Sequence, residues 1–144
     1  MPLVTRSFSQ LSHLVLHEKD PSIGYAREVI WVDVAADTVV TPGTVVFRAK
    51  GATDLAYGLL TSNTQLVTTN EFAVLFGDRY GHKESWTLLA ADVVDNAVAF
   101  VRDNVILKDY LLKQKYVTSV LTAPQFEALR HLLKAQGVIL EITV

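Results

Sequence analysis

Cysteine is absent from this 144-residue chain, which excludes disulfides, thiol nucleophiles and cysteine-based metal sites together. That fits a reducing compartment. Long apolar runs are missing too: none approaches the roughly 18 residues a membrane-spanning helix needs. The N-terminal stretch, one arginine followed by SFSQLSH, is too polar for the core of a signal peptide. An unexported protein with no membrane partner is therefore expected. Charge is scarce and balanced, 19% of residues with a formal net charge of −2, which gives nucleic acid no bulk electrostatic handle. Residues 102–134 do hold six Lys or Arg (Arg102, Lys108, Lys113, Lys115, Arg130, Lys134) against three acids (Asp103, Asp109, Glu127), an excess that the solvated face of a helix explains.

What is plentiful is hydrophobicity, half of all residues. A chain of this length and composition is expected to form one domain and hide about two-thirds of its unfolded surface. Its most informative stretch is Arg27 to Lys50, REVIWVDVAADTVVTPGTVVFRAK. Thr41-Pro42-Gly43-Thr44 suits a type II turn, because proline presets φ at the second position and glycine takes the positive φ of the third. Beyond it Val45, Phe47 and Ala49 alternate with Thr44, Arg48 and Lys50, the period of a strand with one buried face. Before it Ile30, Val32 and Val34 make an apolar row, and Val29, Trp31 and Asp33 share the other face. The two runs are expected to pair as a hairpin, covered by the rest of the chain because two strands cannot bury that much surface alone.

Residues 1–13, MPLVTRSFSQLSH, carry scattered apolar residues, no strong period and no helix cap, and are expected to form an N-terminal arm that orders on a partner. A single β-rich domain, 14–144, should follow. His13–Glu18 alternates weakly as a short strand, closed by the turn former Asp20-Pro21-Ser22 with Gly24 soon after. Residues 50–54 break the chain after the hairpin, 55–60 form a short apolar run, and 61–70, rich in Thr, Ser and Asn, read as a loop or edge strand. Glu71–Phe76 is a strand leading into a polar, glycine-punctuated loop, 77–85. Trp86–Val94 and Ala97–Arg102, separated by Asp95-Asn96, are expected to make a second hairpin. Residues 104–116 fit a short helix or an extension of the preceding strand.

The last helix is the best specified. Thr122 and Gln125 form a capping box, Leu121 and Phe126 occupy the positions of a hydrophobic staple, and Gly137 supplies a left-handed stop. Phe126, Leu129 and Leu133 share one face, with Glu127, Arg130 and Lys134 elsewhere. Val138–Val144 should then pair into the sheet begun by the first hairpin. The fold class expected is α+β, β-dominant: a small mixed β-sheet or barrel-like domain with one well-capped C-terminal helix and an extended N-terminal arm.

Chemistry is harder to find. His13 and His17, followed by Glu18, would share a face on a helix, but the pattern HLVLHE is strand-like and separates the imidazoles by about 13 Å. No metal or other cofactor is expected. His82 in a polar loop and His131 on a helix read as solvent-exposed. Asp92 and Asp95 are spaced for acid–base work, yet they bound a turn and have no nucleophile or phosphate loop beside them. FRAKGATD lacks the spacing of a phosphate-binding loop, and no serine lies in a glycine-flanked elbow. Trp31 and Trp86 read first as core aromatics and second as anchors for a partner. Nothing in the residues argues for an enzyme.

The order of signals does resemble a family. Glu18, then Arg27-Glu28, then Pro42-Gly43-Thr44-Val45, then Asp92-Val93, then the run Ala97–Arg102, then LLKAQGV from Leu132 to Val138 is similar to the phage head decoration proteins of the lambda D type, across residues 14–142. Each motif is common alone, and the shared order carries the resemblance. Residues 61–86 depart from it, being longer and more polar than the family's core. The resemblance implies a structural virion protein: a homotrimer on the three-fold sites of an expanded icosahedral capsid, binding the major capsid protein and cementing the shell after synthesis in the host cytoplasm. The segment expected to bind capsid is the arm, with Pro2, Leu3, Val4, Thr5, Arg6 and Phe8 as contacts. Alternatives are another virion or assembly component, such as a fibre or tail adaptor, or a small-ligand or enzymatic β domain.

Overall fold

A computed structural model describes residues 14–19, 24–52 and 55–142. The fold is α+β and β-dominant. Its centre is a sheet in which β2 (Arg27–Ile30), β9 (Ala97–Phe100), β6 (Asn70–Asp78), β4 (Val45–Ala49) and β5 (Gly58–Leu59) lie side by side in that order. β7 (Gly81–His82) folds back on the end of β6. A two-stranded ribbon, β3 (Thr38–Val40) with β8 (Trp86–Leu88), and a small sheet, β1 (Val15–His17), β10 (Val105–Lys108) and β11 (Val138–Glu141), complete the strands. The described α-helices are α1 (Tyr110–Tyr116) and α2 (Ala123–Ala135), with a single 3-10 turn at Asn63–Gln65.

The middle of the central sheet is buried on both faces, so β9 and the centre of β6 are apolar throughout. Along β6, Phe72, Val74 and Phe76 join one core while Ala73 and Leu75 join another. The same alternation sends Val98 and Phe100 of β9 to the first core, and Ala97 and Ala99 to the second. The first core is closed by α1, α2 and the small sheet, with Leu112, Phe126, Leu129 and Leu133 buried in it. The second lies under the ribbon, against Val34, Val40, Trp86 and Leu88. Small residues face the ribbon and phenylalanines face the helices, where Phe76 and Phe100 stack at 4.3 Å.

The turn at Pro42-Gly43 forms as expected: Gly43 has φ of +93°, and the Thr44 amide bonds the Thr41 carbonyl at 3.3 Å. Its neighbours are not the expected ones. β2 pairs with β9, and β4 pairs with β6 and β5, so Arg27–Lys50 is not a hairpin. The turn instead carries the chain from the ribbon to the central sheet. The Gly43 amide bonds the Leu75 carbonyl at 2.9 Å, and the Leu75 amide bonds the Thr44 carbonyl at 2.8 Å. These bonds dock the corner on β6, and a Cβ at Gly43 would come within 3.2 Å of Leu111 Cβ. The second expected hairpin is likewise absent, because β8 pairs with β3 and β9 lies between β2 and β6.

Residues 104–116 hold both candidate elements in succession, β10 and then α1, after a turn in which Asp103 and Asn104 take positive φ. Among the described residues a second α-helix thus precedes the capped C-terminal one. α2 is capped as its sequence specifies: Gln125 N bonds Thr122 Oγ1 at 3.3 Å and Thr122 N bonds Gln125 Oε1 at 2.9 Å. Gly137 stops it with φ of +86°. β11 then pairs in parallel with β10, in the small sheet and not in the central one. One parallel bridge, Val32 to Tyr57, links the chain after β2 to the chain before β5, the two outer strands of the central sheet.

Two buried tyrosines set an alkaline limit on this fold. Burial pushes the Tyr57 phenol up to about 12, against the pull of Arg48, and burial also raises Tyr116, whose hydroxyl accepts the Val45 amide at 2.6 Å. A raised phenol contributes stability that is complete below pH 10 and is lost as pH climbs through the folded value. For Tyr57 that loss should be on the order of 2–3 kcal/mol between pH 10 and 12. Burial lowers Lys115 and so acts in the opposite direction. Urea unfolding across this range should therefore fall less steeply in Tyr57→Phe than in the parent, and equal slopes would refute the assignment.

Candidate functional site

The six arm positions named from sequence, Pro2, Leu3, Val4, Thr5, Arg6 and Phe8, lie outside the described residues. What is described is the strand to which that segment connects. Leu14 is fully buried in the first core, and β1 follows as an edge strand paired on one side with β10. Leu16 is half-exposed on it. Glu18 closes this lead-in through a two-pronged bond with Arg27, at 2.7 and 2.8 Å. The Glu18 bond pushes the Arg27 guanidinium further above its ordinary value, and the guanidinium also lies over the rings of Phe76 and Phe100. Glu18 is therefore a structural anion, which fixes the root of the N-terminal segment to β2.

The other chemical candidates do not converge. His17 is exposed on β1 and His131 is exposed on α2, whereas His82, expected in an exposed loop, is half-buried in β7 and paired with Gly77. Asp92 and Asp95 flank an exposed turn, as read from sequence. Among the described residues no group of three His, Asp or Glu side chains is placed to hold a metal ion. No described helix is long and apolar enough to cross a membrane. Trp86 is a core aromatic under the ribbon, whereas Trp31 is half-buried and donates its indole N–H to the Asp92 carbonyl at 3.0 Å.

That last bond belongs to a feature the sequence reading missed. Residues 86–94 were expected to be strand, but β8 ends at Leu88 and 89–95 form an exposed turn at the end of the ribbon. Three contacts hold it. Besides Trp31, the Ala90 amide bonds Asp37 Oδ1 at 2.9 Å, and the buried Asn96 side chain bonds both the amide and the carbonyl of Val32, at 2.8 and 2.9 Å. The turn presents Val93 at 74% exposure and Val94 at 52%, with Val39 at 68% on the adjoining strand. Asp92 and Asp95 bracket the two valines, and Arg79 lines one hollow with Asp92, Val94 and Asp95. The available signal was the Asp-Val-Val-Asp string itself, since a strand facing a core rarely brackets two valines with carboxylates.

A second surface lies on the opposite side of the central sheet. Between α1 and α2 an open hollow of about 500 Å³ is lined by Lys113, Gln114, Val117, Ala123, Phe126 and Glu127. Its walls are mainly apolar. Glu127 is already paired with Arg130 at 2.9 Å, and Lys113 keeps an exposed ammonium 3.2 Å from buried Asp109.

No family model matches this chain, and no curated protein or solved structure matches it.

Proposed function

We propose that this chain is a structural virion protein of the decoration type, which binds the outside of an expanded icosahedral phage capsid as a trimer and cements it. The observation that carries this reading is the order of signals from Glu18 through Pro42-Gly43 to the LLKAQGV helix end, spread over one β-dominant domain. The architecture is compatible with it. A cement protein needs a rigid body, extended attachment segments and no reaction centre. Here the body has two packed cores, and Leu14 anchors the start of β1 directly after the proposed capsid-binding arm. A cyclic trimer on a three-fold site makes each contact three times, so a weak single attachment becomes an avid one. An extended arm supplies backbone hydrogen bonds to a sheet edge of the major capsid protein, and Leu3, Val4 and Phe8 add apolar anchors.

Co-sedimentation with purified expanded capsids tests the proposal. The full chain should pellet with expanded shells and stay in solution with immature ones. Deleting residues 1–10 should abolish pelleting while leaving the melting temperature nearly unchanged, as an attachment arm outside the packed body requires. A full chain that never co-sediments would refute decoration. Collapse of the truncated protein would instead make the segment part of the core.

A further inference from the structure

The turn at 89–95 forms one wall of a hollow of about 320 Å³, whose lining includes Asp78, Arg79, Trp86, Asp92, Val94 and Asp95. One donor among these residues is unpaired. Trp86 is 9% exposed, and its buried indole N–H meets no acceptor among the described residues. A buried tryptophan N–H usually finds a partner, so an open one calls for an acceptor from outside the chain. The remaining groups carry both signs. Arg79 is turned onto Tyr80, 5.1 Å from the ring and 2.9 Å from the hydroxyl. Asp78 accepts the Tyr80 amide at 2.9 Å through one oxygen. Neither Arg79, Asp92 nor Asp95 is in an ion pair among the described residues. Two donors suited to an anion therefore share one hollow with carboxylates suited to a cation. A ligand of a single charge would satisfy half of these groups and be repelled by the rest.

We propose that this hollow binds a free α-amino acid with an apolar side chain. The ligand carboxylate accepts from the Trp86 indole N–H and from Arg79, its ammonium lies among Asp92, Asp95 and the second oxygen of Asp78, and its side chain lies along Val94. The volume stands at the lower end for small-molecule sites, roughly 300–1,000 Å³, which suits a ligand of this size. The wall is in place before the ligand arrives. Trp31 holds the Asp92 carbonyl, Asp37 holds the Ala90 amide, and Asn96 clips the end of the turn to Val32, which spares the ordering cost of a loose loop. Nothing in this inference depends on the decoration reading.

Calorimetric titration of the full chain with L-leucine tests the site, beside two analogues that each lack one charge. Leucine should bind saturably. Isoamylamine, without the carboxylate, and 4-methylpentanoate, without the amine, should each bind about tenfold more weakly or worse, the loss expected for one charge-assisted contact. Trp86→Phe keeps an aromatic ring and removes the donor, so it should weaken leucine by about tenfold and leave isoamylamine unchanged. Asp92→Asn combined with Asp95→Asn should weaken leucine and isoamylamine but not 4-methylpentanoate. The chain has two tryptophans, so two indole N–H signals are expected by NMR. The Trp86 signal, assigned by its absence in Trp86→Phe, should move downfield as leucine is added. Should Trp86→Phe melt early, Trp31→Phe makes the assignment and the shift in the parent decides. Leucine that does not bind saturably, analogues that bind as tightly as leucine, or a Trp86 signal that leucine does not move would each overturn the proposal.

Discussion

Replacing Arg130 with alanine should destabilise the protein by about 3–5 kcal/mol, the range for stripping one partner from a buried charge. The charge left behind is Asp109, which is wholly buried at the start of α1. Arg130 Nη2 holds its Oδ2 at 2.7 Å, and Lys113 Nζ approaches the same oxygen at 3.2 Å from a more exposed position. A second nitrogen of Arg130, Nη1, donates to the Leu140 carbonyl at 2.6 Å. One guanidinium thus ties α2 to α1 and to β11, and its removal leaves a carboxylate and a strand carbonyl short of donors. Lys113 alone cannot replace it, because an ammonium on a flexible stem does not reach both acceptors as a planar fork does. Arg130→Lys should accordingly recover only part of the loss. Urea unfolding at low and high salt measures this, and the loss should change little with salt because the pair is shielded from solvent. A loss under about 1 kcal/mol would mean the pair behaves as a surface bridge.

Asp109 and Arg130 also show where the sequence stops being informative. Both were legible only as members of a mildly basic stretch with a solvated face, because nothing local reveals that a carboxylate 21 residues upstream will be buried under that arginine. Local signals read well wherever the physics is local. The Thr122–Gln125 box, the Gly137 stop and the Pro42-Gly43 turn are each satisfied within a few residues, and all three form. Pairing partners are not local. Adjacent runs suggested hairpins at 27–50 and 86–102, yet β2 and β9 meet each other from 67 residues apart or more. The two-faced burial of β6 blurs the period of two that would have marked an inside and an outside. The exposed turn at 89–95 was hidden for the same reason: Val93 and Val94 look like strand interior, and only the bonds from Trp31, Ala90 and Asn96 turn them outward.

Gly77→Ala should be the most damaging single-methyl change in the molecule, at about 3 kcal/mol or more. A Cβ built at Gly77 would lie 1.9 Å from the Gly81 carbonyl oxygen, 2.5 Å from its carbon and 2.8 Å from His82 Cα. Overpacking a core costs about 1–3 kcal/mol when side chains can shift aside. Here every blocking atom is backbone, in the strand β7 that pairs Gly77 with His82. The strand cannot retreat without breaking that pairing. On its other side Gly77 stands opposite Val98, just past a register shift that leaves Phe76 as an extra residue against β9. Moving Gly77 would therefore disturb the Phe76–Phe100 stack beneath Arg27 and, through it, the Glu18 bond that holds the lead-in to the arm. Gly51→Ala is the control, since its Cβ would meet nothing within 4 Å and only the positive φ is strained, at about 1–2 kcal/mol. Parallel urea titrations of the two variants decide the matter. If Gly77→Ala unfolds no earlier than Gly51→Ala, the β6–β7 turn is not held as tightly as this geometry requires.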